Sequence, residues 1–373
     1  MASHHGELPL NAFPSHALPS LRKKILAWFD RHRRELPWRA DRDPYRIWVS
    51  EVMLQQTTVA AVVPYFARFL AAFPTVEALA SANEQQVLKL WEGLGYYRRA
   101  RHLHAAAKRL VAEFAGGLPN DPEVWAALPG VGRYILGAVL SQAFDRKLPI
   151  VEANSLRVLA RFFGYRGDPR EGEGKKWVWN AAEAMLPAKR VGDFNQAMME
   201  LGATVCTITS PRCAECPMGS SCAAKREGRQ ASIPPPKKQK DVIRVREVAV
   251  VIRDRGTILL CRRAATAARW QNMWEVPHAE MLPGEDVSEA AQRIGRELTG
   301  LELAIGNELL TVEHTVTRYS IAMTCLEASR LRGKFRSDFY AEAKWLTLEQ
   351  LGDFPVSSPQ RKLMSALNVR KLF

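Results

Sequence analysis

A chain of 373 residues carries 53 Lys and Arg against 39 Asp and Glu, a formal net charge of +14, and 47% of its residues are hydrophobic. That length suits two or three domains, each with its own core, and ordinary hydrophobicity without an apolar run long enough to span a bilayer excludes a membrane-embedded chain. The cationic excess suits a polyanionic partner, nucleic acid first.

Taken in chain order, residues 1–19 contain His4, His5, Glu7 and three prolines and lack the apolar core of a signal peptide. They read as a loose polar arm, and the expected location is cytoplasmic, at the nucleoid. Residues 20–204 read as all-helical: segments 77–91, 99–115, 133–144, 154–163 and 175–186 place apolar residues at helical spacing. Turn signals separate them at Gly93-Leu94-Gly95, Gly116-Gly117 and Pro129-Gly130. Leu128-Pro129-Gly130-Val131-Gly132 falls between two of these helices, so Gly130, Val131 and Gly132 form a tight turn. The next helix begins near Arg133, and the free N–H groups at its start suit a phosphate.

Residues 205–230 hold Cys206, Cys213, Cys216 and Cys222. A tight cysteine cluster in a chain without an export signal argues for metal rather than disulfides. Four thiolates satisfy either a tetrahedral zinc ion or an iron–sulfur cubane. A zinc ribbon shows two separated Cys-x2-Cys knuckles; here one such pair is flanked by single cysteines, which fits one cysteine per corner of a [4Fe–4S] cluster. Arg212, Lys225, Arg226 and Arg229 surround the loop. Residues 231–244, with Pro234-Pro235-Pro236 and a basic run, read as a stiff, solvated linker. Beyond it, 245–373 reads as a mixed α/β domain: strand-like runs meet at Arg253-Asp254-Arg255-Gly256, 286–299 is helical and 319–326 is a strand.

Four segments together resemble the MutY-type adenine DNA glycosylases of the helix–hairpin–helix superfamily: Ser50–Thr57, Gly93–Tyr97, Leu128–Gly132 and the cysteine loop. The resemblance covers residues 20–230 densely, and 245–373 resembles, more loosely, the Nudix-like domain of that family. It implies a multidomain fold: an all-α helix–hairpin–helix glycosylase domain with a [4Fe–4S] loop, then a mixed α/β Nudix-like domain. It also implies one [4Fe–4S] cluster, no organic cofactor, and a monomer acting on double-stranded DNA that carries A:8-oxoguanine or A:G mispairs.

By the same resemblance Glu51 falls on the family's acid, which protonates a flipped-out adenine; a carboxyl among Val52, Met53 and Leu54 can hold its proton near neutral pH. Pro149-Ile150-Val151-Glu152-Ala153-Asn154 departs from the family pattern, with Glu152 for Asp and Ala153 for Gly. Glu152 is expected to stabilise an oxocarbenium-like sugar; from the residues alone it is equally a helix N-terminal charge, with Asn154 or Ser155 as the cap. Asn154 matches the family asparagine. Tyr134 stands where bifunctional relatives place a Schiff-base lysine, which implies a monofunctional enzyme. Arg39, Leu54 and Gln56 fall on adenine-pocket or stack-filling positions; Thr57, Leu94 and Tyr96 fall around the opposite base.

In the C-terminal domain Gly295-Arg296-Glu297-Leu298-Thr299-Gly300 lacks the paired glutamates of a pyrophosphate-hydrolysing box, so a binding role is expected. Thr317, in Val316-Thr317-Arg318, keeps the hydroxyl of the family's lesion-recognition loop while its neighbours differ. Two readings compete with adenine excision: a glycosylase for thymine mispairs or oxidised pyrimidines, and a non-catalytic iron–sulfur DNA-binding protein.

Overall fold

The helical spacing of the first half is realised as helices, in a computed structural model that describes residues 15–237 and 241–370. Most of the expected N-terminal arm and residues 238–240 of the expected linker lie outside the described residues. In chain order the helices are α1 (Leu18–His32), α2 (Pro44–Leu54), α3 (Val59–Ala72), α4 (Val76–Ser81), α5 (Glu84–Trp91), α6 (Arg98–Phe114), α7 (Pro122–Ala126), α8 (Arg133–Phe144), α9 (Ala153–Phe163), α10 (Gly172–Met185), α11 (Val191–Thr204) and the short α12 (Ala223–Arg226). The helix expected over 77–91 is two helices. The Asn83 side chain accepts from Gln85 N at 2.8 Å and the Gln86 side chain accepts from Asn83 N at 3.2 Å, a reciprocal cap that restarts the chain as α5.

The chain divides into two compact units, Met1–Ala80 with Ala105–Lys238, and Ser81–His104 with Gln239–Phe373. Residues 81–104, read from sequence as interior to the helical domain, thus belong to the second unit. Their polar side chains explain it: Trp274 Nε1 donates to Gln85 Oε1 at 2.8 Å, Tyr97 Oη donates to Val356 O at 3.0 Å, and Arg361 pairs with Glu92.

In the first unit α1, α9, α10 and α11 enclose a core that includes Ile25, Phe29, Leu159, Met185, Phe194 and Leu201. Burying each such side chain is worth roughly 1.5–3 kcal/mol. Glycines set the spacing of α11. A Cβ on Gly192 would sit 2.4 Å from Ser141 O of α8, and one on Gly202 would sit 2.5 Å from Asn154 Cβ of α9. Only glycine permits that approach, and it brings three helices of the unit together.

The expected linker is not solvated at its start. Ile233 is buried with Ala160 and Ala224, its carbonyl accepts from Arg161 Nε at 2.8 Å, and Pro235 O accepts from Arg170 Nη2 at 2.7 Å. An apolar residue before the prolines had a core pocket available, which composition does not reveal.

The second unit is a mixed sheet with strands β1 (Ile243–Asp254), β2 (Thr257–Arg263), β3 (Trp274–Glu275), β4 (His278–Glu280), β5 (Glu302–Val316), β6 (Tyr319–Arg332) and β7 (Tyr340–Leu346). The order β3-β2-β1-β6-β5 places β1 and β6 side by side and parallel. Pairing of Asp254 with Thr257 leaves Arg255-Gly256 as a two-residue hairpin turn with φ of 47° and 79°, the primed geometry that suits strand twist. Helices α13 (Val287–Ile294) and α14 (Ser358–Arg370) complete the unit. Among the described residues no helix is long and apolar enough to cross a membrane.

Candidate active site and cysteine loop

Helix α2 begins at Pro44 behind the Asp43 carboxylate, which accepts from Tyr45 N at 2.7 Å. Its buried residues Ile47, Val49, Val52 and Met53 carry Glu51 inward to 3% exposure. Two side chains of α8 meet that carboxyl: the Tyr134 hydroxyl bonds Oε2, and Gln142 Nε2 donates to Oε1 at 2.8 Å. Burial pushes Glu51 above the usual carboxylate range, against the hydrogen bonds of Tyr134 and Gln142 and the charge of Arg39. The Tyr134 phenol is itself pushed well up by burial and by Glu51.

Glu152 is the N-cap of α9. Its Oε2 accepts from Asn154 N and its Oε1 from Ser155 N, both at 2.7 Å, while Ser155 Oγ accepts from Glu152 N at 3.0 Å. The sequence left the cap to Asn154 or Ser155; the longer glutamate side chain folds back and takes the role itself. Burial raises Glu152; the two backbone N–H groups and Arg157 pull it down, and Glu51 raises it further. The two carboxyls therefore feel each other. Ala153 is the first helical residue of α9 and is not in the left-handed region, so alanine is accommodated there. Asn154 Oδ1 accepts from Arg157 Nη2 at 2.9 Å.

Arg39 lies in a short turn, Pro37–Arg39, and its guanidinium is locked: Nη2 donates to Glu200 Oε2 at 2.9 Å and Nη1 to Arg34 O at 3.1 Å. At the end of α2, Leu54 is half-buried, Gln56 is exposed with φ of 59°, and Thr57 N donates to Leu54 O at 3.3 Å. Helix α8 is N-capped by Gly132, which offers no side chain, so its first-turn N–H groups have no side-chain cap. Gly130 needs its φ of 76°, whereas Val131 spends its N–H on Leu128 O at 3.2 Å. Of the expected turn donors, the Val131 N–H is taken within the turn, while the α8 first turn has no side-chain cap.

The remaining expected site residues belong to the second unit. Tyr96 is 56% exposed with φ of 48° beneath the Arg99 guanidinium, while Leu94 is buried. Thr317 occupies the β5–β6 turn with φ of 54°, exposed, an unusual backbone for a β-branched residue.

The four cysteines line one small cavity together with Arg161, Arg212, Lys225 and Gln230. They are not paired as disulfides. Among the described residues no group of three or more His, Cys, Asp or Glu is placed to hold a metal ion. Donors point at the sulfurs: Arg161 Nη1 lies 3.4 Å from Cys206 Sγ and Gln230 Nε2 lies 3.8 Å from Cys213 Sγ, the kind of hydrogen bonding that tunes thiolate clusters. The loop is tied to α9 by two arginines. Arg157 Nε donates to Cys206 O at 2.8 Å and Nη2 to Gly202 O at 2.8 Å; Arg161 Nη1 reaches Thr207 O at 2.6 Å and Nη2 reaches Ile208 O at 3.0 Å.

Sequence reasoning missed Gln142, Glu200, Arg157 and Arg161. The available signal was a lone polar side chain at an otherwise apolar helical position, as in Met198-Met199-Glu200-Leu201, which only tertiary packing turns into a partner.

Two family models match the chain: the HhH-GPD superfamily base excision DNA repair protein over residues 49–183 and the NUDIX domain over residues 247–366. Proteins named adenine DNA glycosylase match it as well. The one from Rattus norvegicus is 44% identical, covering 58% of this chain and 44% of its own; that from Homo sapiens is 43% identical, covering 57% and 41%. The chain thus spans less than half the length of these mammalian relatives. One from Buchnera aphidicola subsp. Schizaphis graminum is 35% identical over 68% of this chain and 73% of its own. Among solved structures, a thermostable thymine-DNA glycosylase is similar with a TM-score of 0.50 and 30% identity, covering 57% of this chain and 99% of that one.

Proposed function

This chain belongs to the adenine DNA glycosylases, and on that footing we propose that it hydrolyses the N-glycosidic bond of adenine mispaired with 8-oxoguanine or guanine in duplex DNA, as a monofunctional enzyme of base excision repair. The observation that carries the reading is the buried Glu51 carboxyl, clasped by Tyr134 and Gln142 and held above its usual range.

A buried, protonated Glu51 donates to the ring of an adenine turned out of the stack, which makes the base a leaving group. Tyr134 and Gln142 fix the carboxyl so that it needs no reorganisation on reaction. Glu152 supplies the opposite requirement. Burial and the neighbouring Glu51 raise it, while two N–H groups and Arg157 act to hold the charge; in its anionic form it stabilises positive charge developing on the sugar. Each of its oxygens keeps a lone pair beyond its backbone hydrogen bond. As the bond to adenine breaks, water adds to the sugar carbon and gives its proton to the Glu51 carboxylate; Tyr134 cannot form a Schiff base, so the product is an abasic site. Uncapped N–H groups at the α8 start receive a DNA phosphate, and the exposed Tyr96 and Thr317 serve recognition of the opposite base. Cys206, Cys213, Cys216 and Cys222 would hold a [4Fe–4S] cluster, which when bound braces the basic loop rather than taking part in bond cleavage.

The test uses duplexes with A:8-oxoguanine, A:G, T:G or thymine glycol, each treated with alkali after incubation. Breaks at adenine only after alkali are expected; breaks without alkali sink the monofunctional reading, and a preference for T:G sinks the adenine reading. Glu51→Gln retains DNA binding and loses at least ~10³-fold in single-turnover excision.

A further inference from the structure

Within the second unit, the loop that carries Tyr96 is built on left-handed backbone. Gly93, Gly95 and Tyr96 have φ of 99°, 71° and 48°. A non-glycine residue such as Tyr96 keeps that conformation only where its surroundings over-determine it. Side chains of the same unit do so. Trp91 Nε1 donates to Gly95 O at 3.2 Å, and Arg99 Nη2 donates to Leu94 O and to Gly95 O, both at 3.2 Å. These two tie the loop to its own neighbours in sequence. Tyr97, 6% exposed, ties it elsewhere: its hydroxyl accepts from Gly93 N at 3.4 Å and donates to Val356 O at 3.0 Å, 259 positions away. Val356 is fully buried and bridges to Trp274 of β3, and Trp274 N donates to Pro355 O at 2.9 Å. A continuous path thus runs from the sheet through Val356 and one hydroxyl to the loop.

We propose that Tyr97 is a positioning residue: its hydroxyl seats the Gly93–Tyr96 loop on Val356, so that the same sheet that carries Thr317 also sets the conformation of the exposed Tyr96. The proposal rests on the reading of Tyr96 as an opposite-base contact. A phenol both donates and accepts, so one group satisfies a donor on the loop and an acceptor beside the sheet. Phenylalanine fills the same space and does neither. A loop already ordered meets DNA without the entropic cost of being fixed on contact. That advantage falls only on a duplex whose opposite base Tyr96 contacts, so it shows as preference between duplexes rather than as general affinity.

Tyr97→Phe and Tyr96→Ala, singly and together, are compared in cluster-loaded full-length protein. Hydrogen exchange followed by mass spectrometry reads the amides of residues 93–96 without DNA. Tyr97→Phe is expected to raise their exchange about fivefold while the sheet amides stay unchanged. Binding is read by fluorescence anisotropy in a Glu51→Gln background, as the ratio of affinity for an A:8-oxoguanine duplex to that for a matched A:T duplex. Tyr97→Phe should lower this ratio about fivefold, Tyr96→Ala at least as far, and the double variant no further than Tyr96→Ala alone. A merely structural loss would weaken both duplexes alike and leave the ratio where it was. Unchanged exchange at residues 93–96 overturns the proposal. Where Tyr96→Ala does lower the ratio, a ratio unmoved by Tyr97→Phe overturns it too, as does a Tyr97→Phe effect that persists in full on top of Tyr96→Ala. A parent protein without preference, or Tyr96→Ala with the parent ratio, refutes the functional reading instead, and the exchange measurement still decides the role of Tyr97.

Discussion

Replacing Glu152 by Gln keeps the shape and removes one acceptor. In the native cap, Oε2 and Oε1 each take a backbone N–H at 2.7 Å, from Asn154 and Ser155. A glutamine offers one acceptor oxygen; its NH2 group would confront the other N–H. Leaving a buried donor unpaired costs about 1–3 kcal/mol, and removing an anion from a helix N-terminus adds roughly 0.3–1 kcal/mol. Against this, burial and Glu51 disfavour the native anion, so part of the loss is returned. A net destabilisation of about 2 kcal/mol follows, which lowers the melting temperature of a unit this size by about 4–8 °C. Glu152→Asp retains two acceptors and a residue type favoured at helix caps; it should stay within about 1 kcal/mol of wild type. Thermal denaturation followed by tryptophan fluorescence measures both. Single-turnover excision should fall at least ~10²-fold in Gln while remaining equal or higher in Asp. A Gln variant as stable as wild type would refute the capping argument, and one as active would refute the role of the anion.

Two further outcomes follow from buried charge. Arg157→Met takes the donor from the Gly202 carbonyl and leaves the Cys206 carbonyl only Arg161 Nη1 at 3.4 Å, so iron content per purified chain should drop and the first unit should lose ~2 kcal/mol; full iron occupancy at wild-type stability would show that Arg157 does not brace the loop. In the second unit, burial alone would drive His278 down, but Glu275 and Glu247 outweigh it and push it up to about 9, while Glu275 is held at about 2. A raised histidine contributes stability that is fully present below its unfolded value near 6.5 and is lost as pH rises through 9. Melts from pH 6.5 to 9.5 should therefore show the second unit weakening by on the order of 3 kcal/mol, and His278→Gln should flatten that slope; a wild type without the slope removes the argument.

Much of this protein was legible from order and spacing. Arg133–Phe144 is a helix with the bounds its apolar period predicts, and the Arg255-Gly256 turn follows from local chemistry. These features depend on contacts a few residues apart, where composition and period carry the information. Glu51 and Tyr134 were also visible through the family pattern, as residues. That they form one hydrogen-bonded acid was not, because 83 positions separate them.

By itself, then, the sequence determined two kinds of architecture, a four-cysteine loop and a pair of carboxylates in a recognisable order. Tertiary structure alone decided which polar groups share a dielectric. It assigned residues 81–104 to the second unit, turned Glu152 into its own helix cap, buried Ile233 in place of a solvated linker, and set Glu200 against Arg34 and Arg39. The reason is physical: propensity acts along the chain, but burial and charge act through space, and their strength depends on neighbours brought together only by packing.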